Sequence, residues 1–68
     1  MDTQLKNFGL AMRRRRLKRR LTQTELGRAV GVSPNQICNI EYGSNWPAMP
    51  VYIAICRKLG VNRIPFVQ

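Results

Sequence analysis

Apolar residues recur at helical spacing near both ends of the chain. Leu5, Phe8 and Met12 form one stripe, and no proline or glycine interrupts positions 10 to 21, so a first helix is predicted over about residues 3–19. A second stripe near the other end predicts a helix over about residues 48–59, with Pro50 tolerated in its first turn. The residues expected to form the core side of that last helix are Met49, Tyr52, Ile53, Cys56 and Leu59.

Two short polar sequences in the middle of the chain have the pattern that begins a helix. In the first, Thr22 can accept a hydrogen bond from the backbone N–H of Glu25 while the Glu25 side chain reaches back, which makes a capping box. In the second, Ser33 and Gln36 repeat this spacing, and Pro34 occupies the first helical position. Helices are therefore predicted to begin near residues 23 and 34.

Glycines predict where these two helices end. Gly31 and Gly43 can adopt the positive φ of a sharp helix exit, which predicts helices over about residues 23–30 and 34–42, joined by a turn of about three residues. In the tail, residues 61–68, a proline limits any further helix to about one turn. The predicted fold is all-α: one compact four-helix domain, with a one-turn fifth helix as an alternative.

Composition changes this picture by pointing to a polyanionic partner. Twelve lysines and arginines oppose three acidic residues, giving a net charge of +9 and a pI near 11.2. Nucleic acid is the first candidate partner and an anionic membrane surface the second. No apolar run is long enough to span a bilayer and no signal peptide is recognisable, so we expect an intracellular, cytoplasmic protein.

The residue inventory argues against catalysis and metal binding. The chain has no histidine, which removes histidine-based nucleophile activation and general-base chemistry. Its two cysteines, Cys38 and Cys56, cannot complete a four-ligand zinc site and are expected to be reduced packing residues. We expect a protein that is not an enzyme and that needs no metal, cofactor or small-molecule effector.

Two short helices joined by a tight turn form a helix-turn-helix, here at residues 22–42. Over about residues 8–61 the sequence resembles the lambda repressor and Cro-like (Xre-type) DNA-binding domains. The resemblance rests on Phe8-Gly9, Met12, Arg16, the stretch LTQTELGRAVGVSPNQICNIEYG at 21–43, Pro47, and KLGV at 58–61. It implies a sequence-specific regulator of transcription that binds double-stranded DNA, such as a phage or bacterial repressor, acting as a homodimer on a palindromic operator.

The second helix of such a unit enters the major groove, and its outward residues are the candidates for base readout. Spacing leaves Pro34, Asn35, Gln36 and Asn39 outside the core, and amide side chains can make paired hydrogen bonds to adenine. Each amide could instead be a solvated surface residue or a cap. Pro34 departs from the family, which often has a polar side chain there, and can offer only apolar contact.

Phosphate contacts are expected around the start of the first helix of the unit, where free N–H groups attract an anion. The candidates there are Thr22 and Gln23, preceded by Arg19 and Arg20. The resemblance implies a second group in the loop after the recognition helix: Tyr42, Ser44, Asn45 and Trp46. For Trp46, packing against Pro47 is an equal alternative.

The resemblance also separates one arginine from its neighbours. A family glutamate, here Glu41, pairs with a first-helix arginine, which implies a partly buried, structural pair with Arg16. The solvated remainder of the basic run is expected to attract DNA at long range, and it consists of Arg13, Arg14, Arg15 and Lys18. Gly27 is expected to be small where the second helix of the unit passes close.

Two questions stay open at this point. The apolar tail residues Val61, Ile64, Phe66 and Val67 either form the dimer interface or pack back onto the fourth helix. The function is either sequence-specific regulation, low-specificity nucleic-acid binding through charge alone, or a protein-interaction role such as that of an antitoxin or a polymerase-docking regulator.

Overall fold

A computed structural model of the chain describes residues 3–60, which fold into four α-helices and contain no strand. The helices are α1 (Thr3–Lys18), α2 (Gln23–Val30), α3 (Pro34–Tyr42) and α4 (Met49–Leu59). Each bound lies within one residue of its prediction, and the all-α fold class is confirmed. Within the described range, no helix combines the length and hydropathy needed to span a membrane.

All four helices contribute to one apolar core. Side chains that are at most 1% exposed come from every helix: Phe8, Met12, Leu26, Ile37, Ile40, Ile55 and Leu59. Leu5 and Cys56 extend this cluster, and both cysteines are free. The tail, with the candidate interface residues Val61, Ile64, Phe66 and Val67, lies outside the described residues.

The predicted core side of α4 is partly wrong. Met49 is 65% exposed and Ile53 is 43% exposed, whereas Ile55 is fully buried. Apolar residues occupy most positions of α4, so two overlapping stripes share the buried Cys56 and Leu59. Periodicity alone could not choose between Ile53 and Ile55, because the choice depends on how α4 lies against the other helices.

The four helices end in the same backbone conformation but not with the same residue type. Gly31, Gly43 and Gly60 have φ values of 86°, 80° and 72°, while Arg20 ends α1 with φ 59°. In the last case the Leu21 N–H donates to the Arg16 carbonyl at 3.1 Å, as in a Schellman motif. A left-handed conformation costs a residue with a side chain about 1–2 kcal/mol, so α1 ends at the expense of local strain.

Helices α1 and α3 are in backbone contact at Gly9. A Cβ atom added there would lie 2.5 Å from the Glu41 carbonyl oxygen and 2.6 Å from that of Ile40. Only glycine permits this approach, which places the next two turns of α1 directly against α3.

Candidate nucleic-acid interface

The turn between α2 and α3 is fixed by hydrogen bonds at both of its ends. Gly31 takes the left-handed conformation, and the N–H groups of Gly31 and Val32 both donate to the Gly27 carbonyl, at 2.8 and 2.9 Å. On the far side of the turn, the Ser33 hydroxyl accepts from the backbone N–H of Gln36 at 3.1 Å. The turn therefore holds the two helices at one angle.

Gly27 has no side chain at a point where another part of the backbone passes close to it, as the sequence predicts. A Cβ atom there would lie 2.5 Å from the Val32 carbonyl oxygen, so the close approach is made by the turn that leads into α3.

The start of α2 forms the full capping box that the sequence predicts. The Thr22 hydroxyl accepts from the Glu25 N–H at 3.0 Å, and the Glu25 carboxylate accepts from the Thr22 N–H at 2.8 Å. Within residues 3–60, the N–H groups of Gln23 and Thr24 in the first turn have no such partner. These two donors are available to an external anion.

The start of α3 forms only half of the predicted box. Ser33 caps the Gln36 N–H, but the Gln36 side chain makes no reciprocal hydrogen bond within the described part of the chain. Pro34 at the first helical position already has the required φ and no N–H, so the helix start is stabilised without that bond. The Gln36 amide is consequently exposed and unengaged.

The residues predicted to contact bases lie on the outer side of α3. Pro34, Asn35 and Gln36 are exposed and Asn39 is half-buried, whereas the inward positions Ile37 and Ile40 are almost fully buried. Three amide side chains thus lie on the outer side of the helix within its first six residues. Their contact with DNA stays a prediction.

A buried ion pair lies directly behind this outer side. The Arg16 guanidinium donates to Glu41 through Nε at 2.6 Å and through Nη2 at 3.1 Å, and both residues are less than 10% exposed. Arg16 Nη1 also donates to the Leu21 carbonyl at 2.8 Å. A two-bond contact of this kind is among the strongest that arginine makes, and it neutralises the α3 carboxylate.

Gln23 is part of the same cluster. Its Nε2 donates to Glu41 Oε1 at 3.2 Å, so the side chain predicted to contact a phosphate is half-buried and tied to α3. Glu41 therefore accepts from residues of both α1 and α2, and it joins three helices. The sequence around Gln23 does not predict its contact with Glu41, which lies 18 positions away.

Arg19 and Arg20 are placed differently from one another. Arg19 Nε donates to the Leu59 carbonyl at 3.1 Å, so its side chain lies at the end of α4 rather than being free beside α2. Arg20 is exposed and is the residue that ends α1 in the left-handed conformation. Of the two predicted phosphate contacts, the geometry favours Arg20. The contact of Arg19 with α4 is not evident from the sequence, because its partner lies 40 positions away.

In the loop after α3, Tyr42, Ser44 and Asn45 are exposed, as a phosphate contact requires. Trp46 stacks on Phe8 of the core, with ring centroids 5.9 Å apart and planes at 29°. Trp46 therefore packs against α1. The packing partner suggested by the sequence was Pro47, and the sequence did not point to Phe8. The indole is still 41% exposed, so its outer part is accessible.

An open groove of about 390 Å³ runs beside the ion pair, between α1 and the helix-turn-helix. It is lined by Leu10, Arg13, Gln23, Cys38, Glu41 and Tyr42. Arg13, from the solvated part of the basic run, thus shares this groove with residues of α3. Within residues 3–60, no three histidine, cysteine or acidic side chains lie together in a way that could bind a metal ion.

Comparisons with known proteins agree with this geometry. A sequence model of the helix-turn-helix family matches residues 12–65 of the chain. No curated protein sequence matches significantly.

Several solved structures share the fold, three of which are from bacterial proteins. Two are of the clp gene regulator ClgR from Corynebacterium glutamicum. One has a TM-score of 0.82, 27% identity and coverage of 88% of this chain. The other has a TM-score of 0.80, 26% identity and coverage of 91%. The third is Bacillus thuringiensis PlcR in complex with the peptide PapR7 and DNA, at a TM-score of 0.81, 28% identity and 90% coverage.

These proteins are longer than the chain. It spans 64% and 80% of the two ClgR chains and 21% of the PlcR chain.

Proposed function

Because the chain belongs to the Cro/C1-type helix-turn-helix family, we propose that it is a transcription regulator that binds a specific sequence in double-stranded DNA. It acts by binding rather than as an enzyme, and it requires no metal, cofactor or small-molecule effector. Family membership and the similarity to ClgR and PlcR support a role in DNA-binding regulation of transcription.

The main support for this function is the row of amide side chains on the outer side of α3. Asn35, Gln36 and Asn39 present amide donors and acceptors in a row, and amides can pair with the N6 and N7 edge of adenine in the major groove. Pro34 adds an apolar contact at the leading end. The helix that holds these groups is fixed by Ser33 at its start and by Glu41 near its end.

Phosphate contacts orient this helix without reading sequence. The free N–H groups of Gln23 and Thr24, the exposed guanidinium of Arg20 and the hydroxyl of Thr22 supply one group of donors. The loop supplies the other, consisting of Tyr42, Ser44, Asn45 and the exposed edge of Trp46. Arg19 contributes to the field of the domain while its side chain holds α4.

Glu41 does not oppose this function, although a carboxylate near DNA would ordinarily repel it. Arg16 and Gln23 together occupy its oxygens, and the group is 7% exposed. The charge that reaches solvent is that of the remaining basic run, which attracts DNA.

The proposed assembly is a homodimer on a palindromic operator. One short recognition helix reads too few base pairs for specificity in a genome, and a dimer reads two half-sites about 34–36 Å apart. Val61, Ile64, Phe66 and Val67 are the proposed interface. In this proposal the protein is a phage or bacterial repressor that acts in the cytoplasm.

Selection of bound sites from random duplex DNA tests the proposal. The recovered half-site spacing should be one helical turn or a multiple of it. With the selected duplex, Asn35→Ala combined with Asn39→Ala should lower affinity by about 1–3 kcal/mol per lost base pair contact, while the amide control Asn7→Ala on α1 should not.

Two results would overturn this function. Equal affinity for the selected and a scrambled duplex at matched salt would indicate low-specificity binding through charge. Regulatory activity that survives loss of Asn35 and Asn39 would indicate a protein-interaction role.

A further inference from the structure

The side of α1 that faces away from α3 carries a second basic surface, which we call the outer basic patch and define as Arg14, Arg15 and Lys18. We propose that this patch binds the sugar–phosphate backbone of a second DNA duplex, so that one molecule can bridge two DNA segments. The inference rests on the proposed function for the first duplex only, which α3 contacts.

Helix geometry separates the patch from the recognition helix. Ala11, Arg14, Arg15 and Lys18 are spaced as one side of a helix, and they line a common open groove of about 300 Å³. Gly9, which touches α3, precedes Lys18 by two and a half turns at 3.6 residues per turn, so the two point in opposite directions. A duplex held by α3 therefore leaves the patch free.

The neighbours of the patch belong to α4 instead. Arg15 and Lys18 line a further groove with Arg19 and Leu59, where Arg19 binds the last carbonyl of α4. The C-terminal ends of α1 and α4 thus meet at this side. Arg19 donates to a carbonyl at the end of α4, and the three patch cations are exposed to solvent.

No carboxylate neutralises the patch within the described residues. The two acids in that range are both engaged elsewhere: Glu41 is buried with Arg16, and Glu25 completes the capping box of α2. Among the described residues, the patch is therefore a positive surface that no acidic side chain neutralises, and it would attract an external polyanion.

A nucleic-acid backbone fits the patch better than an acidic protein segment does. Protein interfaces depend on aromatic or aliphatic anchors, and no large apolar side chain lines the groove that the three cations share. The exposed Leu10 and Leu17 flank Arg14 on α1, four residues before it and three after it, but they do not line that groove. The groove floor is only Ala11. Cations without an apolar anchor are sufficient for phosphates, because release of condensed counterions supplies the affinity.

A two-duplex capture assay tests this proposal with the whole chain. A biotinylated duplex carrying the selected site is immobilised with bound protein, and retention of a fluorescent duplex without that site is measured against salt. Arg15→Gln combined with Lys18→Gln should lower capture about tenfold at moderate salt, and should reduce the log–log salt slope of capture by about 1.8 for two phosphates. Binding of the first duplex should keep its sequence preference.

The matched control is Lys6→Gln combined with Arg28→Gln. It also removes one lysine and one arginine from exposed positions, on α1 and α2. Capture should stay within about twofold of the unmodified protein, because only long-range attraction changes.

Four results would overturn the proposal. These are equal loss of capture in both variants, no capture by the unmodified protein, capture that the patch variant leaves intact, and displacement of the second duplex by polyglutamate as readily as by DNA. Intact capture in the patch variant would mean that a dimer bridges through its two recognition helices. Loss of sequence preference for the first duplex with capture retained would count against the proposed function alone.

Discussion

Arginines from a single run lie on both sides of α1 and have opposite physical roles. Towards α3, Gly9 is buried against the α3 backbone, and Arg16 is buried in an ion pair with Glu41. On the opposite side, Arg14, Arg15 and Lys18 are exposed and line open grooves, one of which reaches the end of α4. Adjacent arginines thus differ completely in what they bind, because one residue rotates the side chain by about 100° around the helix. A run of like charges in a helix is therefore several surfaces.

Removing Glu41, the partner of the buried Arg16, should have the largest effect on the free energy of unfolding. Glu41→Ala leaves the Arg16 charge uncompensated below the surface, and also removes the acceptor of Gln23. We expect a loss of about 3–5 kcal/mol in the free energy of unfolding, measured by urea denaturation. The comparison variant is Glu25→Ala, which deletes an exposed capping carboxylate and should cost about 1 kcal/mol.

A domain of this size has little stability to lose, so a second variant keeps the test informative. Arg16→Met combined with Glu41→Leu replaces both charges with apolar groups and should recover most of the loss. If Glu41→Ala costs no more than Glu25→Ala, the buried pair is not what joins α1 to α3.

Gly9→Ala should have the next largest effect, because it acts on the same side through the backbone. The added methyl would lie 2.5 Å from the Glu41 carbonyl oxygen, so α1 must move away from α3. The expected cost is about 1–3 kcal/mol, although alanine is the better helix former by about 1 kcal/mol. Thermal denaturation should show a lower midpoint for this variant, and Asn7→Ala on the exposed side should leave the midpoint nearly unchanged. A stabilised Gly9→Ala variant would refute the close contact.

Local signals in the sequence predict much of this architecture. The capping box at Thr22, the proline at position 34 and the glycines at 31 and 43 act over three to five residues, so they specify where α2 and α3 begin and end. The pairing of Arg16 with Glu41 followed from the family resemblance, since nothing local connects residues 25 positions apart.

The remaining features depend on tertiary contacts. Arg19 meets the end of α4 across 40 positions, and Gln23 meets Glu41 across 18, so neither partner is visible in the sequence around the residue. Trp46 likewise stacks on Phe8 at the other end of the fold. Composition predicted a polyanionic partner, but only the packing of α1 shows that its basic residues lie on more than one side of the helix.

Arg19 allows the two sides to be compared with a single residue type. Arg19→Ala removes the hydrogen bond to the Leu59 carbonyl and a cation at the C-terminal end of α4. We expect a loss of about 1 kcal/mol, since the bond involves a charged donor that is partly exposed to solvent. Arg15→Ala removes the same charge and chemistry from the outer basic patch and should change stability by less than about 0.5 kcal/mol. Equal losses in urea denaturation would mean that charge, and not the contact with α4, is responsible.

The smallest expected change in stability is at Arg20, the residue that ends α1. Arg20 holds a left-handed φ of 59° that the other three helix ends assign to glycine, so Arg20→Gly relieves strain of about 1–2 kcal/mol. Glycine also gains entropy in the unfolded chain, which offsets about 0.4–1 kcal/mol of that relief. The net expectation is a stabilisation of about 0.5–1 kcal/mol in urea denaturation, whereas Gly31→Ala, which introduces the same strain at the end of α2, should destabilise. If Arg20→Gly stabilises the fold and weakens DNA binding more than Arg15→Ala does, the strained arginine is kept for a phosphate contact. Equal weakening would assign Arg20 to the general field of the basic run.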